Sequence, residues 1–260
     1  MSVVVPARNE RGAIGLCLDR LVQTLGEASF AYEVLVVDDG SCDDTASIVI
    51  ERASRHPEIH LLRREPPPGF GRAIQCGLNA ASGDVVVIFM ADLSDDPKDI
   101  LAYCRKIEEG YDCAFGSRFI EGSELLEYPR TKRVANRITN RALGWMFGTD
   151  LNDLTNAFKA YRSSVIEKCR PLRAKDFDIS IELSLGALVQ GCAVAQVPIA
   201  WRGRREGRSK LSLLAAGVPF LHTLLRMWMR RLGAGAVSMR HRAPALAGSA
   251  MVERHRKLGP

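Results

Sequence analysis

Several patterns that identify a protein quickly are missing from this 260-residue sequence. Its seven cysteines are odd in number, form no C-x-x-C pair and follow no signal-peptide pattern, so we expect reduced thiols in a cytoplasmic protein. No G-x-G-x-x-G follows the first predicted strand, which counts against an NAD or FAD enzyme. No apolar run makes a good membrane span, because the nearest candidate, 211–229, contains Pro219, His222 and Arg226.

The composition is that of an ordinary globular protein, with 47% hydrophobic and 25% charged residues. The formal net charge is +6, and the basic residues concentrate between 129 and 141 and beyond Trp201. This distribution suits an anionic partner such as a phosphate or a lipid headgroup, but a solvated helix face and a basic tail also explain it. Nucleic-acid binding is the weakest interpretation, because no aromatic interleaving or known motif accompanies the charge.

Predicted strands alternate with predicted helices through the first half of the chain. The strand runs are SVVVP, YEVLVVDDG, IHLLR, DVVVIF and YDCAFGS, and helical periodicity occurs at 14–25, 43–55, 71–81 and 97–109. The alternation predicts an α/β domain with a mostly parallel central sheet flanked by helices. Ligand sites in such sheets lie beyond the carboxyl ends of the strands.

The second half of the chain is less regular. We expect a basic helix at 130–147, an extended piece running into a helix from residue 156, a helix at 178–190 and a strand near 193–201. The whole chain divides into a domain over 1–210, an amphipathic helix over 211–232 and a disordered basic tail over 233–260. The amphipathic helix either rests at a membrane interface or packs on the domain.

The stretch DDGSCDDT follows the second predicted strand. Ser41 is a natural N-cap with Asp44 three residues on, and Asp43 and Asp44 suit the positive end of a helix. These roles leave Asp38 and Asp39 at the end of the strand, where a carboxylate accepts hydrogen bonds from a ribose or a base.

The stretch FMADLSDDPKD follows the fourth predicted strand. Asp96 precedes a proline suited to the first helical position, so we assign Asp96 as the N-cap and Asp99 as the third helical residue. Asp95 is either favoured by the helix dipole or free. Asp92 has no such structural explanation and is the first choice for a metal or diphosphate contact.

The blocks VVVPARNE, VLVVDDGSCDDT, GFGRAI, SGDVVVIFMADLSDDP, FGSRF, DLTNAFKAYR and VPIAWRGRREGRSKL resemble, in order and spacing, the family 2 glycosyltransferases with the GT-A (Rossmann-like) fold. The resemblance covers roughly residues 2 to 215, and the sequence looks most like the dolichyl- or polyprenyl-phosphate mannose synthases. It implies a single nucleotide-binding domain that transfers a hexose, foremost mannose from GDP-mannose, to a lipid phosphate.

The resemblance also assigns site residues. It implies nucleoside or substrate contacts for Pro6, Glu10, Asp38, Asp39 and, in the GFGRAI block, Arg72. It places Arg118 near the reacting phosphates, and the R-x-x-G-x-S-K block places Arg204, Gly207, Ser209 and Lys210 on phosphates. We therefore expect catalytic roles for Asp92, Arg118, Arg204 and Lys210.

The sequence departs from the family at two sites. The metal stretch usually reads D-A-D-x-Q, but Met90 and Ser94 replace the first aspartate and the glutamine. We expect Mg²⁺ or Mn²⁺ on Asp92, with Asp95 as the only nearby substitute ligand. The Arg and Ser that usually contact the lipid phosphate correspond to Lys132 and Asn136, which keep charge and hydrogen-bonding capacity without a bidentate fork.

These residues suggest a mechanism. A divalent ion and cationic side chains stabilise the departing diphosphate. An acceptor phosphate, whose second pKa is about 6, is already anionic and requires no general base. Arg118, Lys132, Arg133 and Arg137 are the cations that bring the two anionic substrates together for direct, inverting attack.

Two other functions remain open. A related transferase would use a UDP-sugar and another acceptor, whereas a non-catalytic nucleotide-sugar binder would explain the disturbed metal stretch at Met90 and Ser94. For the preferred function we expect a peripheral protein on the inner face of a membrane, which supplies the lipid acceptor.

Overall fold

A seven-stranded sheet runs through the centre of the computed structural model, which describes residues 1–28, 30–203 and 213–233. The strands are β1 (Ser2–Ala7), β2 (Glu33–Asp38), β3 (Ile59–Arg63), β4 (Val85–Ile88), β5 (Cys113–Ser117), β6 (Glu124–Leu126), β7 (Lys159–Arg162), β8 (Val194–Pro198) and β9 (Ala200–Arg202). The helices are α1 (Ile14–Gly26), α2 (Thr45–Ala53), α3 (Phe70–Ala80), α4 (Lys98–Glu108), α5 (Arg130–Phe147), α6 (Ser163–Cys169), α7 (Ile179–Val189) and α8 (Leu213–Gly233).

The strand order of the central sheet is β3-β2-β1-β4-β7-β5-β8, and β6 pairs with β9 in a small second sheet. All neighbours in the central sheet are parallel except β7, which runs antiparallel to both β4 and β5. The predicted mostly parallel sheet flanked by helices is therefore confirmed. The chain leaves β1 towards β2 and β3, then returns to β4 on the other side of β1. This reversal makes the carboxyl ends of β1 and β4 a topological switch point, where α/β sheets bind ligands.

The central strands are apolar on both faces because helices cover both sides of the sheet. Val3 and Val5 of β1 pack with Leu18 of α1 in one buried cluster, whereas Val4 packs with Ile74 of α3 in the other. The alternation follows from the two-residue period of a strand. The loops at the carboxyl ends of the strands are thus fixed by two packed helical layers.

The predicted elements are present with some shifted boundaries, but the sequence does not predict β6, and the single strand expected near 193–201 forms two strands, β8 and β9, in different sheets. Helix α2 is shorter than the predicted 43–55, and α4 begins one residue after Pro97. The extended piece expected from residue 156 forms β7 and runs into α6. Its antiparallel direction carries no signal in the sequence, since an isolated short strand has the same pattern in either direction.

Helix α8 packs against α7 along one face. Thr223 Oγ1 donates a hydrogen bond to Asp178 Oδ2 at 2.8 Å, and Arg226 Nη2 donates to Glu182 Oε1 at 2.6 Å. Met227, also on α8, is fully buried. The amphipathic helix predicted near the end of the chain is therefore present. Within the described part of the chain, no helix has both the length and the apolar character that a membrane crossing requires.

Candidate active site

A cleft of about 800 Å³ opens at the switch point between β1 and β4. The predicted site residues that line it are Pro6, Glu10, Asp39, Asp92, Asp95, Arg118, Lys132 and Asn136. Asp38, Arg72 and Arg133 are described but do not line it. Arg204, Gly207, Ser209 and Lys210 lie outside the described residues, as does the tail beyond Gly233. Gly203, directly before that basic block, is at the wall of the cleft.

The capping box predicted for Ser41 and Asp44 is wrong. Helix α2 begins at Thr45, which puts Asp44 at the N-cap position without a side-chain capping bond. Ser41 Oγ instead accepts a hydrogen bond from the Asn9 N–H at 2.9 Å, and Asn9 Oδ1 accepts one from the Cys42 N–H at 2.8 Å. These bonds join the loop after β1 to the loop after β2, a long-range contact that local capping rules do not contain.

The carboxylates of Asp38 and Asp39 both accept hydrogen bonds from the backbone of loops. Asp38 Oδ1 accepts the Ser41 N–H at 3.0 Å. Asp39 forms an ion pair with Arg64, and its Oδ2 accepts the Gly69 N–H at 2.7 Å. Asp39 nevertheless lines the cleft, so its buried carboxylate has structural partners and also borders the binding side. The nucleoside contacts expected of both residues stay predictions.

The GFGRAI block brings two backbone segments unusually close. A Cβ on Gly71 would lie 2.7 Å from the Ala174 carbonyl oxygen, and a Cβ on Gly69 would lie 2.5 Å from that of Lys175. Only glycine allows this approach. The contact places Phe70 against Phe177, with ring centroids 4.6 Å apart and planes inclined by 13°. Both rings line the cleft, whereas Arg72 does not.

Asp92 and Asp95 lie at the end of β4. Asp92 Oδ1 accepts the Ser94 N–H at 3.1 Å, in a turn where Leu93 has a φ of 62°. Asp95 is 5% exposed, and within the described structure neither of its carboxylate oxygens has a hydrogen-bond partner. Burial, reinforced by the charge of Asp92, raises the pKa of Asp95 well above its ordinary value. An unsatisfied buried carboxyl group beside a second carboxylate is a site that a cation would stabilise.

The Asp92 and Asp95 pair fits a divalent cation that is held partly by the protein and partly by the phosphates of a bound substrate. Among the described residues, no group of three or more His, Cys, Asp or Glu side chains is arranged to hold a metal. Mg²⁺, however, is often bound by one or two carboxylates together with phosphates of a substrate. Asp92 and Asp95 supply the carboxylates that such a site needs, and Met90 and Ser94 line the same wall without adding another.

The other two aspartates of this stretch have structural partners. Asp96 Oδ1 accepts the Lys98 N–H at 3.0 Å. Helix α4 begins at Lys98 with Pro97 at its N-cap position, so the assignments of Asp96 as the N-cap and Asp99 as the third helical residue are each off by one residue. Asp99 Oδ2 accepts the Ala200 N–H at 2.9 Å and so ties α4 to β9. Burial raises the pKa of Asp99 to about 6. Neither residue lines the cleft.

Arg118 enters the cleft as half of a buried ion pair. Its Nε and Nη2 donate to the Asp153 carboxylate at 2.8 and 2.7 Å, and its guanidinium lies 5.6 Å from the centre of the Tyr128 ring. Asp153 raises the pKa of Arg118 further despite the cost of burial. The Asp153 carboxylate therefore already balances much of the positive charge of Arg118 that was expected to act on substrate phosphates. Asp153 belongs to the DLTNAFKAYR block, but nothing local in that block indicates its partner.

Helix α5 forms the opposite wall with Lys132, Asn136 and Thr139. Asn136 Nδ2 donates to Tyr128 Oη, and Tyr128 itself lines the cleft. Arg133 and Arg137 are exposed, with Arg137 lying 5.4 Å from the centre of the Phe119 ring. Of the predicted α5 cations Lys132, Arg133 and Arg137, the structure thus places Lys132 at the cleft.

Comparison with known proteins identifies the family. Residues 2–170 match the model described as Glycosyl transferase family 2, and the chain belongs to this family of glycosyltransferases. The polyprenol monophosphomannose synthase of Mycolicibacterium smegmatis is 30% identical over 216 residues, which are 81% of this chain and 80% of that relative. The predicted family membership is confirmed.

Two further relatives are longer than this chain. The dolichol-phosphate mannosyltransferase of Pyrococcus furiosus is 31% identical over 81% of this chain and 59% of its own length. The undecaprenyl-phosphate 4-deoxy-4-formamido-L-arabinose transferase of Photorhabdus laumondii is 28% identical over 82% of this chain and 63% of its own length. The chain therefore spans about three fifths of these two relatives.

The fold is also found among solved structures. Glucosyl-3-phosphoglycerate synthase of Mycobacterium tuberculosis, crystallised with Mn²⁺, UDP and glucosyl-3-phosphoglycerate, superposes with a TM-score of 0.67 at 22% identity. The match covers 88% of this chain and 79% of that one. The same protein with Mg²⁺ and UDP superposes equally well, at 0.67 and 22%. At this identity the likeness establishes the shared GT-A fold.

Proposed function

We propose that the protein is an inverting glycosyltransferase that moves a hexose, foremost mannose from GDP-mannose, to a polyprenyl or dolichyl phosphate. One observation carries this proposal: a single cleft joins the carboxylate pair Asp92 and Asp95 at the end of β4 to Lys132 and Asn136 on α5. The first pair suits a nucleoside diphosphate with its cation, and the second suits an acceptor anion.

The donor occupies the side of the cleft formed by β1 and β2. Pro6, Glu10 and Asp39 line this side, where an α/β sheet binds nucleotides. The stacked rings of Phe70 and Phe177 add an apolar wall beside Asp39. In this arrangement Asp39 contacts the nucleoside while Gly69 and Arg64 keep its carboxylate in place.

Asp92 and Asp95 would hold Mg²⁺ or Mn²⁺ together with the donor phosphates. When bound, such a cation would supply Lewis-acid stabilisation of the charge that develops on the leaving diphosphate. Gly203, the residue before Arg204, lines the cleft. We assign the side chains of Arg204, Ser209 and Lys210, which lie outside the described residues, to the same phosphates.

The acceptor phosphate approaches from α5. Lys132 attracts it, Asn136 offers a hydrogen-bonding amide, and Arg118 is held at the cleft by Asp153. An anionic phosphate oxygen is already nucleophilic, so this wall needs cations and hydrogen-bond donors rather than a general base. Direct attack on the sugar opposite the leaving diphosphate inverts its anomeric centre.

The names of the relatives support a lipid phosphate as the acceptor, because they include polyprenol monophosphomannose, dolichol-phosphate and undecaprenyl-phosphate transferases. Their sugars differ, which leaves the donor to experiment. A lipid acceptor also places the protein at a membrane, and we propose peripheral attachment to the inner face of one.

Incubation with radiolabelled GDP-mannose or UDP-sugars, Mn²⁺ and polyprenyl phosphate, followed by organic extraction, tests the reaction. We expect label from GDP-mannose in the lipid phase, and no label there with Asp92→Asn. Label in the lipid phase from a UDP-sugar alone would show that the donor is a UDP-sugar rather than GDP-mannose. The UDP-bound structural neighbours suggest this second candidate. Label that stays in the aqueous phase for every donor would contradict the proposal.

The disturbed metal stretch favours a second class of function, a non-catalytic nucleotide-sugar binder. Met90 and Ser94 line the cleft where the family usually has metal ligands. Calorimetry of GDP binding with and without Mn²⁺ separates the two functions. A transferase is expected to bind GDP more tightly with Mn²⁺, whereas metal-independent binding without turnover would favour the binder.

A further inference from the structure

A buried asparagine joins helix α5 to the connection 148–158 between α5 and β7. Asn140 Nδ2 donates to the Asn136 carbonyl oxygen at 2.9 Å and to Thr155 Oγ1 at 3.0 Å. Asn140 Oδ1 accepts the Thr155 N–H at 3.2 Å. The amide can face only this way, because a backbone N–H only donates and a carbonyl oxygen only accepts. One side chain therefore holds both the backbone and the hydroxyl group of Thr155.

This contact limits where the Thr155 hydroxyl proton can go. A hydroxyl group has one proton and two lone pairs, and Asn140 occupies one lone pair of Thr155 Oγ1. Within the described part of the chain, the acceptors in reach of the proton are Asn136 Oδ1 and Asp153 Oδ1, each 3.4 Å away. A normal O–H···O bond is about 2.7 to 2.8 Å long, so both contacts are weak. The proton is therefore available to a stronger acceptor.

Thr155 lines the part of the cleft that also contains Lys132 and Arg118. Lys132 lies one turn before Asn136 on α5, and such residues share one side of a helix. Asn136 contacts Thr155 on that side, and Asp153, the other contact of Thr155, binds Arg118. The hydroxyl group thus lies between the α5 wall and the ion pair. An anion bound there would be near the ammonium group of Lys132, while Arg118 balances the charge of Asp153.

We infer that the Thr155 hydroxyl donates a hydrogen bond to the acceptor phosphate, and that Asn140 is the positioning residue that keeps this proton free for it. A hydrogen bond to an anionic oxygen is about twice as strong as one between neutral groups, so a phosphate oxygen competes well with acceptors at 3.4 Å. The identity of the anion rests on the proposed function. The sequence does not indicate this role, because Asn140 and Thr155 are 15 positions apart.

Calorimetry of the full chain with a short-chain polyprenyl phosphate in detergent, without donor, tests the contact. Thr155→Val removes the hydroxyl group and should weaken binding by about tenfold or more, whereas Thr155→Ser should stay within about threefold of the wild type. Thr149→Val is the matched control, because Thr149 lies in the same connection but does not line the cleft. No binding by the wild type, equal affinity in Thr155→Val, or equal loss in the control would overturn the inference.

Transfer kinetics separate a contact with the acceptor from a contact with the donor. Thr155→Val should lower kcat/KM for the lipid phosphate by about tenfold and leave the KM for the nucleotide sugar within about twofold of the wild type. Thr155→Ser should restore most of the lost kcat/KM, because it restores the donor. A raised KM for the nucleotide sugar with unchanged kcat/KM for the lipid phosphate would assign the hydroxyl group to the donor diphosphate, and the inference would be wrong.

Asn140→Leu tests the positioning role, because it removes all three hydrogen bonds of the amide and keeps a side chain of similar size. The affinity for polyprenyl phosphate should fall by about tenfold, and adding Thr155→Val should weaken binding by less than about twofold more. Losses that multiply independently would contradict the role of Asn140. Urea unfolding shows whether the variant folds, and if it does not, the two Thr155 variants alone decide the inference.

Binding and transfer together distinguish this inference from the proposed function. A wild type that binds polyprenyl phosphate through Thr155 but transfers no sugar would contradict the proposed function and support the inference. Transfer and binding that are unchanged in Thr155→Val would overturn the inference and leave the proposed function in place.

Discussion

The Arg118 guanidinium and the Asp153 carboxylate form a bidentate pair, with N–O distances of 2.8 and 2.7 Å, in the wall of the cleft. The Arg118 backbone N–H donates to the same carboxylate at 3.0 Å. The side chains are 9% and 1% exposed, so neither is surrounded by water. Asp153 thus fixes the orientation of Arg118 before a substrate phosphate arrives.

Asp153→Asn leaves the Arg118 charge buried without its partner. We expect the free energy of unfolding to fall by about 3 kcal/mol and transfer to fall by at least about tenfold. Urea unfolding and the lipid-extraction assay measure the two effects. The control is Glu109→Gln, which breaks an exposed pair with Lys106 and should cost about 1 kcal/mol or less. Similar losses in both variants would show that the buried pair has no special role.

Asp92 and Asp99 should respond differently to substitution although they lie in one acidic stretch. Asp92→Asn should abolish detectable transfer, a loss of at least about a hundredfold, because it removes a carboxylate from the proposed cation site. Asp99→Ala removes the acceptor of the Ala200 N–H, so it should lower the free energy of unfolding by about 1 kcal/mol and leave transfer nearly unchanged. Parallel activity and urea-unfolding measurements distinguish them, and equal activity losses would contradict the division.

The raised pKa of Asp99 predicts how the free energy of unfolding depends on pH. Its folded-state pKa of about 6 lies above the ordinary value of 3.8, so the folded protein holds a proton that the unfolded chain has lost between these values. The Asp99 contribution to stability therefore decreases as pH rises from about 4 to about 6. Asp99→Asn removes this titration and keeps an oxygen for Ala200. The free energy of unfolding of the wild type relative to this variant should fall across that range, and a constant difference would refute the assignment.

The lowered pKa of Lys159 predicts the opposite dependence of stability on pH. It is fully buried, and its ammonium donates to the Leu154 carbonyl oxygen at 2.6 Å and to Ser184 Oγ at 2.5 Å. Burial lowers its pKa from 10.5 to about 7, so between these values the unfolded chain binds more protons than the folded protein. Stability contributed by this group therefore rises with pH over that range. The wild type should gain stability relative to Lys159→Met when pH rises from about 7 to about 9, and equal pH dependence would contradict this account.

The sequence predicts those parts of the site that depend on one local segment. Apolar runs locate β1, β2 and β4, and the carboxyl-end rule leads to Asp92. Proline and capping chemistry place the start of α4 to within one residue, where Asp96 accepts a backbone N–H. These predictions succeed because strand burial and helix capping are determined within a few residues.

The parts that it misses depend on contacts between distant segments. Ser41 satisfies a local capping rule, but its hydroxyl oxygen instead accepts a hydrogen bond from the Asn9 N–H in another loop. The pairing of Arg118 with Asp153, and the stacking of Phe70 on Phe177, likewise exist only once the chain has folded.

In the proposed mechanism an acceptor phosphate attacks the donor sugar directly, without a general base. Transfer from radiolabelled donor to polyprenyl phosphate and to the matching polyprenol, measured with wild type and Asp92→Asn, tests it most directly. We expect labelled lipid from the wild type with polyprenyl phosphate only, and none from Asp92→Asn with either acceptor. Equal labelling of polyprenol, or no labelled lipid from any donor, would contradict it.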